Sequence, residues 1–458
     1  MRIRLDIPQK LSAIARELGG ALIGEDATVT HLVTDSREAR SGDLFIALRG
    51  ERLSGADFCS CAERFGAYCL SDRGITRGIL TYPLDTVPDR LAEYYLSLLE
   101  GVFARIAITG SVGKTTTKNI LAAILSEKYD THATEGNLNN TLGVPLSILK
   151  APRNTEALVL ECGMNQTGEL SRISSLIKPT GVIITGIGTS HIGRLGSREN
   201  IARAKLELLS ARAEDSFVII PDGEPLLSKI EGALTLSTSE SESADFSIIR
   251  EGTEGGLSGE FFVRGRHAFD FSTELSGEHN LLSLGLAFSA ATVLGVGFDK
   301  LAQTSGRLPA NLLRARVYDA PPFTLIDDSY NASAEAVEAA LDQLALLPRP
   351  RIAALGDMLE LGEYSASLHQ RVGRYAKDSG VDRLLLIGSH AEDYARGARE
   401  CGMSEDNIEI YPSISCPTEL SLRIAALASG GSVLVKGSHS TGLYAIAEEL
   451  IKIHKTKS

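Results

Sequence analysis

Ile106-Ala107-Ile108-Thr109-Gly110-Ser111-Val112-Gly113-Lys114-Thr115-Thr116-Thr117 reads as an apolar strand, a turn of small residues and the start of a helix. Glycines at 110 and 113 let the backbone curl so that several N–H groups converge on one anion. A helix opening near Lys114 adds the positive end of its dipole. Residues Gly110, Ser111, Val112, Gly113, Lys114, Thr115 and Thr116 are therefore expected to hold a nucleotide's phosphates, with the Thr115 hydroxyl on Mg²⁺. The pattern departs from G-x-x-x-x-G-K-[ST] at its first position, where Ile108 stands in place of glycine.

The chain around this stretch has 458 residues, 43% hydrophobic and 23% charged. That length is too great for one core and predicts roughly three domains. The net charge of -12 argues against a nucleic-acid binder, whose footprint is a basic face, and no basic run interleaved with aromatics occurs. The six cysteines (Cys59, Cys61, Cys69, Cys162, Cys401, Cys416) are scattered and read as reduced thiols. Charged residues follow Met1 and no long apolar run occurs, so a cytoplasmic protein without signal peptide or membrane helix is expected.

Residues 1–85 read as a small α/β unit, with a helix near Lys10 to Leu18 and strands at Thr28 to Val33, Leu44 to Leu48 and Tyr68 to Leu70. Its turn Thr34-Asp35-Ser36-Arg37, before Gly42-Asp43-Leu44-Phe45, places a hydroxyl and an arginine at a strand end. These could bind a diphosphate, although a capped turn with a solvated arginine is the commoner meaning of such a tetrapeptide. A linker helix, Pro88 to Leu99, leads to a second domain over 86–308. There Leu158-Val159-Leu160, Val182-Ile183-Ile184 and Phe217-Val218-Ile219-Ile220 alternate with helices, the mark of a largely parallel sheet whose ligands gather beyond the strand C-termini.

Glu161 ends one of these strands, as a helix cap or a Mg²⁺ ligand, and His191 follows another through Gly186-Ile187-Gly188-Thr189-Ser190. Lys205 falls in a helix from Glu199 to Ala211, where solvation is the default for lysine. Asn140 belongs to the amide-rich turn Asn137-Leu138-Asn139-Asn140, and Asn280 to the first turn of a helix over Leu281 to Leu294; each caps a turn or faces a ligand. The Ser/Glu-rich run from Ser237 to Asp245 reads as a solvated loop, and Gly259 to Leu275 as antiparallel edge strands. A boundary at Leu308-Pro309-Ala310-Asn311 opens a third domain over 309–458, a smaller doubly wound α/β unit without the G-x-G-x-x-G of dinucleotide binders.

Eight segments in order resemble the Mur ligase family: Asp35-Ser36-Arg37 with Gly42-Asp43-Leu44-Phe45, the Thr109 to Thr117 loop, Gly136 to Asn140, Glu161-Cys162-Gly163, Gly277-Glu278-His279-Asn280, Asp328-Ser329-Tyr330-Asn331-Ala332, Gly356-Asp357-Met358 and Leu434-Val435-Lys436-Gly437-Ser438. The family loop is the shorter T-G-[ST]-x-G-K-T-T, which returns Ile108 to the strand. The resemblance implies three α/β domains: a small N-terminal UDP-substrate domain, a central P-loop ATPase-like mostly parallel sheet, and a C-terminal Rossmann-like ligase domain.

It implies an ATP-dependent ligase that adds D-alanyl-D-alanine to UDP-MurNAc-tripeptide through an acyl phosphate, for peptidoglycan. Lys114 would stabilise the transferred phosphoryl group. Thr115 and Glu161 would hold one Mg²⁺, and His191 and a carbamylated Lys205 a second. Arg314 and Asp328 would contact ATP phosphate and ribose, Asn140 and Asn280 the adenine side, and Ser36 and Arg37 the UDP group. A monomer is expected.

Four positions depart from the family pattern. His-x-Glu is His191-Ile192-Gly193, the second Asn of H-N-x-x-N is Ser283, D-G-H is Ser54-Gly55-Ala56, and K-G-S-R ends in His439. The absence of D-N-P-R argues against the tripeptide-forming ligase, and the Asp35-Ser36-Arg37 domain against folylpolyglutamate synthase. A P-loop regulatory switch is the reading from a different class, and it would release phosphate without an acceptor.

Overall fold

The structure is a computed structural model that describes residues 1–50, 53–252, 256–277, 279–309, 312 and 315–457. Arg314, Glu278 and the Ala310-Asn311 part of the expected boundary lie outside the described residues. Among the described residues the strands form three sheets, of six, nine and six strands. Three α/β domains are what the chain length and the family resemblance implied. By its internal packing the chain divides into two units, one of Met1–Thr109, Leu125–Val182 and Leu206–Phe217, the other of Gly110–Ile124, Ile183–Lys205 and Val218–Ser458.

In the first unit, β1 (Arg2–Lys10), β2 (Ala21–Ile23), β3 (Thr28–Val33), β4 (Leu44–Ile46), β5 (Tyr68–Ser71) and β6 (Gly78–Leu80) form a sheet in the order β1-β3-β4-β5-β6-β2. Strands β3 to β6 run parallel, and β1 and β2 pair antiparallel at the two edges. The expected helix is present at Leu11–Glu17. Strand β1 was missed by the sequence reading, although Ile3 and Leu5 alternate with exposed Arg4 and Asp6 in the period of two that a half-buried strand requires.

The helix Val87–Ser97, expected as a linker, packs within this unit. The buried Tyr95 hydroxyl accepts from the Asp6 N–H at 3.2 Å and donates to the Ala151 carbonyl at 3.1 Å. Arg172 pairs with Asp89 and donates to the Asp85 carbonyl at 2.8 Å. Strands β7 (Ala104–Thr109), β8 (Thr131–Ala133) and β9 (Ala157–Glu161) lie in the order β8-β9-β7, all parallel, with Ile108 opposite Glu161. Every residue of β9 is buried, which is why its sequence is a continuous apolar run and why Glu161 at its end is only 1% exposed.

Strand β10 (Gly181–Ile184) passes from the first unit into the second. There β11 (Phe217–Pro221), β12 (Leu234–Ser237) and β13 (Phe246–Arg250) are parallel, and β13, β14 (Ser258–Val263) and β15 (Arg266–Ser272) antiparallel, as the Gly259 to Leu275 pattern predicted. Phe261 and Phe269 of these strands meet Phe288 of the helix His279–Val293, with the Phe261 and Phe288 rings edge-to-face at 5.6 Å and Phe246 stacked on Phe261. The expected helix around Lys205 spans Arg198–Leu206 and tightens into a 3₁₀ turn at Glu207–Leu209.

The last sheet joins β16 (Arg316–Ala320), β17 (Phe323–Asp328), β18 (Arg351–Gly356), β19 (Arg383–Ile387), β20 (Ile408–Tyr411) and β21 (Ser432–Lys436) in the order β16-β17-β21-β18-β19-β20. All neighbours are parallel except the β16–β17 hairpin. Leu325, Ile352, Leu385, Val433 and Val435 pack with Ile424, Leu443 and Leu450 in one fully buried core. That core fixes the carboxyl ends of β17 and β21, where Asp328 and Lys436 stand. Among the described residues no helix is long and apolar enough to cross a membrane. The six cysteines are free thiols.

Candidate active site

The loop after β7 takes the shape its glycines predicted. Gly110 has φ 149°, and a Cβ there would collide with Thr185 Oγ1, so only glycine fits. Thr185 braces the loop by donating to the Val112 carbonyl at 2.5 Å, and Ser111 N–H donates to the Gly186 carbonyl at 3.0 Å. The helix Lys114–Ser126 follows at once. Lys114 Nζ folds back to the carbonyls of Gly110 (2.7 Å) and Ser111 (3.3 Å), at the mouth of the cradle its own loop forms.

Lys205 reaches the same carbonyl, with Nζ 2.9 Å from Gly110 O. The sequence default of a solvated lysine is therefore not what the fold provides, since Lys205 is 2% exposed. Burial, reinforced by the charge of Lys114, pushes its pKa far below that of an ordinary lysine. An amine held neutral in this way is a nucleophile for CO₂.

His191 stands at φ 66°, in the left-handed region, and caps the short helix Ile192–Leu195. Its Nδ1 lies 2.6 Å from Glu360 Oε2. Burial lowers the imidazole pKa against the opposing pull of Glu360, and the charges of Lys205 and Lys114 lower it further. Three basic side chains, Lys114, Lys205 and His191, thus share one region. Nearby, Glu335 of the helix Ala334–Ala345 accepts from Thr189 N–H at 3.1 Å and from Thr189 Oγ1 at 3.0 Å.

A cavity of about 830 Å³ opens over the loop. Lys114, Thr115, Asn280, Ser283, Asp328 and Lys436 are among its lining residues. Asn280 Nδ2 donates to the Ser276 carbonyl at 2.6 Å, and Ser283 Oγ would lie 3.1 Å from a Cβ on Gly113. Asp328 pairs with Lys436, which is 2% exposed and also donates to the Asn331 carbonyl at 2.9 Å. Ser237, Thr238 and Ser239 line the same cavity; Thr238 to Glu240 are exposed loop as expected, and Ala244 is buried.

In the first unit Glu161 accepts from Asn139 Nδ2 at 2.7 Å, and its backbone N–H donates to Thr134 Oγ1 at 3.0 Å. Asn140 Oδ1 accepts from the N–H groups of Leu142 and Gly143, at 3.2 and 2.7 Å, in the turn before the helix Gly143–Ile148. Ser36 is buried in a 3₁₀ turn, while Arg37 is exposed and pairs with Asp35 at 2.6 Å, holding that carboxyl well below the usual range.

The donor set fits the groups the loop calls for. A glycine-shaped cradle with a lysine beside it suits a polyphosphate, and a hydroxyl, a carboxylate and an imidazole are ligands a hard divalent cation accepts. Sequence reasoning gave no role to Glu335, Glu360 or Lys436. Lys436 carried a legible signal, a charge ending the apolar run Val433-Leu434-Val435. Glu335 and Glu360 carried none, because their partners are remote in the chain.

A phosphate loop followed by a parallel sheet, joined to a second α/β domain that brings Asp328 and Lys436 to the same cavity, defines an ATP-using ligase architecture. The chain belongs to the Mur ligase family: the Mur ligase middle domain matches residues 108–291, and the Mur ligase glutamate ligase domain matches residues 314–439. It is 33% identical to the UDP-N-acetylmuramoyl-tripeptide–D-alanyl-D-alanine ligase of Synechocystis sp., over 95% of this chain and 94% of that one. A crystal structure of MurF from Acinetobacter baumannii superposes with a TM-score of 0.88 at 25% identity, covering 98% of this chain and 100% of that one. The MurF ligase of Thermotoga maritima in complex with ADP is 27% identical, with a TM-score of 0.80 over 93% and 98% of the two chains.

Proposed function

We propose that this protein forms the amide bond between UDP-MurNAc-tripeptide and D-alanyl-D-alanine at the expense of ATP, making UDP-MurNAc-pentapeptide for peptidoglycan. The observation that carries the reading is the pair of lysines, Lys114 and Lys205, converging on the Gly110 carbonyl beside a cavity that also receives Asp328 and Lys436. Near-full-length similarity to relatives bearing that activity in their names supports the choice of substrates.

In this reading the peptide carboxylate attacks the γ-phosphorus of ATP, the bond to the β-phosphate oxygen breaks, and ADP leaves an acyl phosphate. The amine of D-alanyl-D-alanine then attacks the acyl carbon, loses a proton and expels phosphate. Gly110 to Thr116 hold the phosphates by backbone N–H groups, and Lys114 meets the charge that develops on the phosphoryl oxygens. Two Mg²⁺ ions, when bound, neutralise phosphate charge; Thr115 and Glu161 would hold one, and His191 with a carbamylated Lys205 the other.

Asp328 and Arg314 serve the ribose and phosphate, Asn140 and Asn280 the adenine side, and Ser36 and Arg37 the UDP group. An α-amino group has a pKa of about 8, so a usable fraction is neutral at pH 7 without a dedicated base. The domains are assigned as 1–85, 86–308 and 309–458, and the enzyme as a cytoplasmic monomer.

Phosphate release measured with each substrate withheld in turn tests the reading. Release is expected only when ATP, UDP-MurNAc-tripeptide and D-alanyl-D-alanine are all present. Equal release with ATP alone would show a switch or simple ATPase instead. Running the assay with both the lysine and the diaminopimelate tripeptide identifies the third residue of the substrate peptide.

A further inference from the structure

Gly193 stands where the family pattern His-x-Glu places a carboxylate two residues after the histidine. The structure supplies one from elsewhere. Glu360, in the loop after β18, sits with Oε2 2.6 Å from His191 Nδ1, and its Oε1 accepts from Arg194 at 2.8 Å. Its backbone carbonyl accepts from Gly193 N–H at 3.0 Å.

The glycine that removes one carboxylate also admits the other. A Cβ on Gly193 would run into Gly362 N and lie 2.5 Å from the Leu361 carbonyl carbon, and Gly362 (φ 56°) meets Gly193 in return. A glutamate at 193 would therefore hold off the segment that delivers Glu360. Both partners of the bond, His191 at φ 66° and Glu360 at φ 64°, occupy a backbone region that non-glycine residues seldom adopt. Such strain persists only where surrounding contacts over-determine it, here the Gly193, Arg194 and Tyr364 bonds, the last from its hydroxyl to the Gly196 carbonyl at 2.8 Å.

We propose that Glu360 is the positioning residue of the second metal site: by accepting from Nδ1–H it fixes the His191 tautomer and leaves Nε2 to the cation, in place of the carboxylate that Gly193 lacks. A carboxylate oxygen only accepts, so the proton belongs on Nδ1, and an imidazole so held is oriented and more basic toward a metal. Because Glu360 belongs to the C-terminal domain, the site is complete only when that domain's loop is seated on the 191–196 segment. The proposal rests on the metal reading of His191 given above.

Titration of the full chain with Mn²⁺, followed by electron paramagnetic resonance in the presence of a non-hydrolysable ATP analogue, tests it. Glu360→Ala is expected to weaken the second Mn²⁺ by about 10-fold or more, as loss of an outer-shell carboxylate does, and to leave affinity for the analogue unchanged. Nitrogen-15 spectra of labelled histidine should show the Nδ1–H tautomer of His191 in the parent and a tautomer mixture in Glu360→Ala. Unchanged Mn²⁺ affinity in Glu360→Ala overturns the proposal.

Should that variant not fold, Glu360→Gln decides by the same titration, with weakened Mn²⁺ binding in support and parent affinity against. A parent that binds only one Mn²⁺ removes the second metal site and the proposal together. A parent that binds two, with variants equal to it, removes Glu360 alone.

Discussion

Lys205 Nζ and Lys114 Nζ donate to the same atom, the carbonyl oxygen of Gly110, at 2.9 and 2.7 Å. Burial, with the charge of Lys114 beside it, holds the pKa of Lys205 well below that of an ordinary lysine. In the carbamate proposed above, CO₂ adds to the Lys205 amine with loss of a proton and places an anion beside Lys114. Lys205→Ala is expected to lose most activity, by about 100-fold or more, and to regain part of it with added short carboxylic acids that fill the vacated space. Carbon-13 spectra of the parent in labelled bicarbonate should show a carbamate signal that Lys205→Ala lacks. A variant as active as the parent would exclude this role.

Asp328 is the counter-ion of Lys436, whose ammonium is 2% exposed, so any contact it makes with the ribose is made by an already committed carboxylate. Removing it leaves a buried ammonium that donates to the Asn331 carbonyl. Asp328→Ala is expected to destabilise the C-terminal domain by about 3 kcal/mol, the usual consequence of breaking a buried pair. Urea unfolding of parent and variant measures it. Loss of ATP affinity without loss of stability would instead give Asp328 a purely ligand-facing role.

His369 governs the loop that carries Glu360. Its Nε2 accepts from Met358 N–H at 3.0 Å and its Nδ1 donates to the Ser365 carbonyl at 2.6 Å, so both nitrogens are committed in the neutral ring. Burial lowers its pKa below 6.5, with the charge of His390 adding to the effect and the Ser365 carbonyl, Asp357 and Asp393 opposing it. Between the lowered folded value and 6.5 the unfolded chain binds more protons than the folded one. Stability therefore rises with pH through that window and is lost as pH falls below the ordinary value. Unfolding at about pH 7.5 and about pH 5.5 should show the parent losing more stability on acidification than His369→Gln. Equal losses would place the acid sensitivity elsewhere.

The local features of this chain were legible because their causes are local. Ile106 to Thr117 specifies strand, turn and helix through apolar run, glycine and small residues, and the structure has each of them. The buried strands β9, β18, β19 and β21 announced themselves as unbroken apolar runs. Strand β1 escaped notice because its alternation is diluted by charges, and β2 and β6, at three residues each, are too short for periodicity to show.

What only the tertiary structure decided is protonation and partnership. Lys205 and Gly110 are 95 residues apart, Asp328 and Lys436 108, and His191 and Glu360 169. The residue letters mark Lys205 as a cation and Gly193 as a missing carboxylate. Burial disfavours that lysine's charge by denying it water, and chain packing brings the Glu360 carboxylate to His191. Both effects depend on distance through space, which periodicity along the chain does not encode.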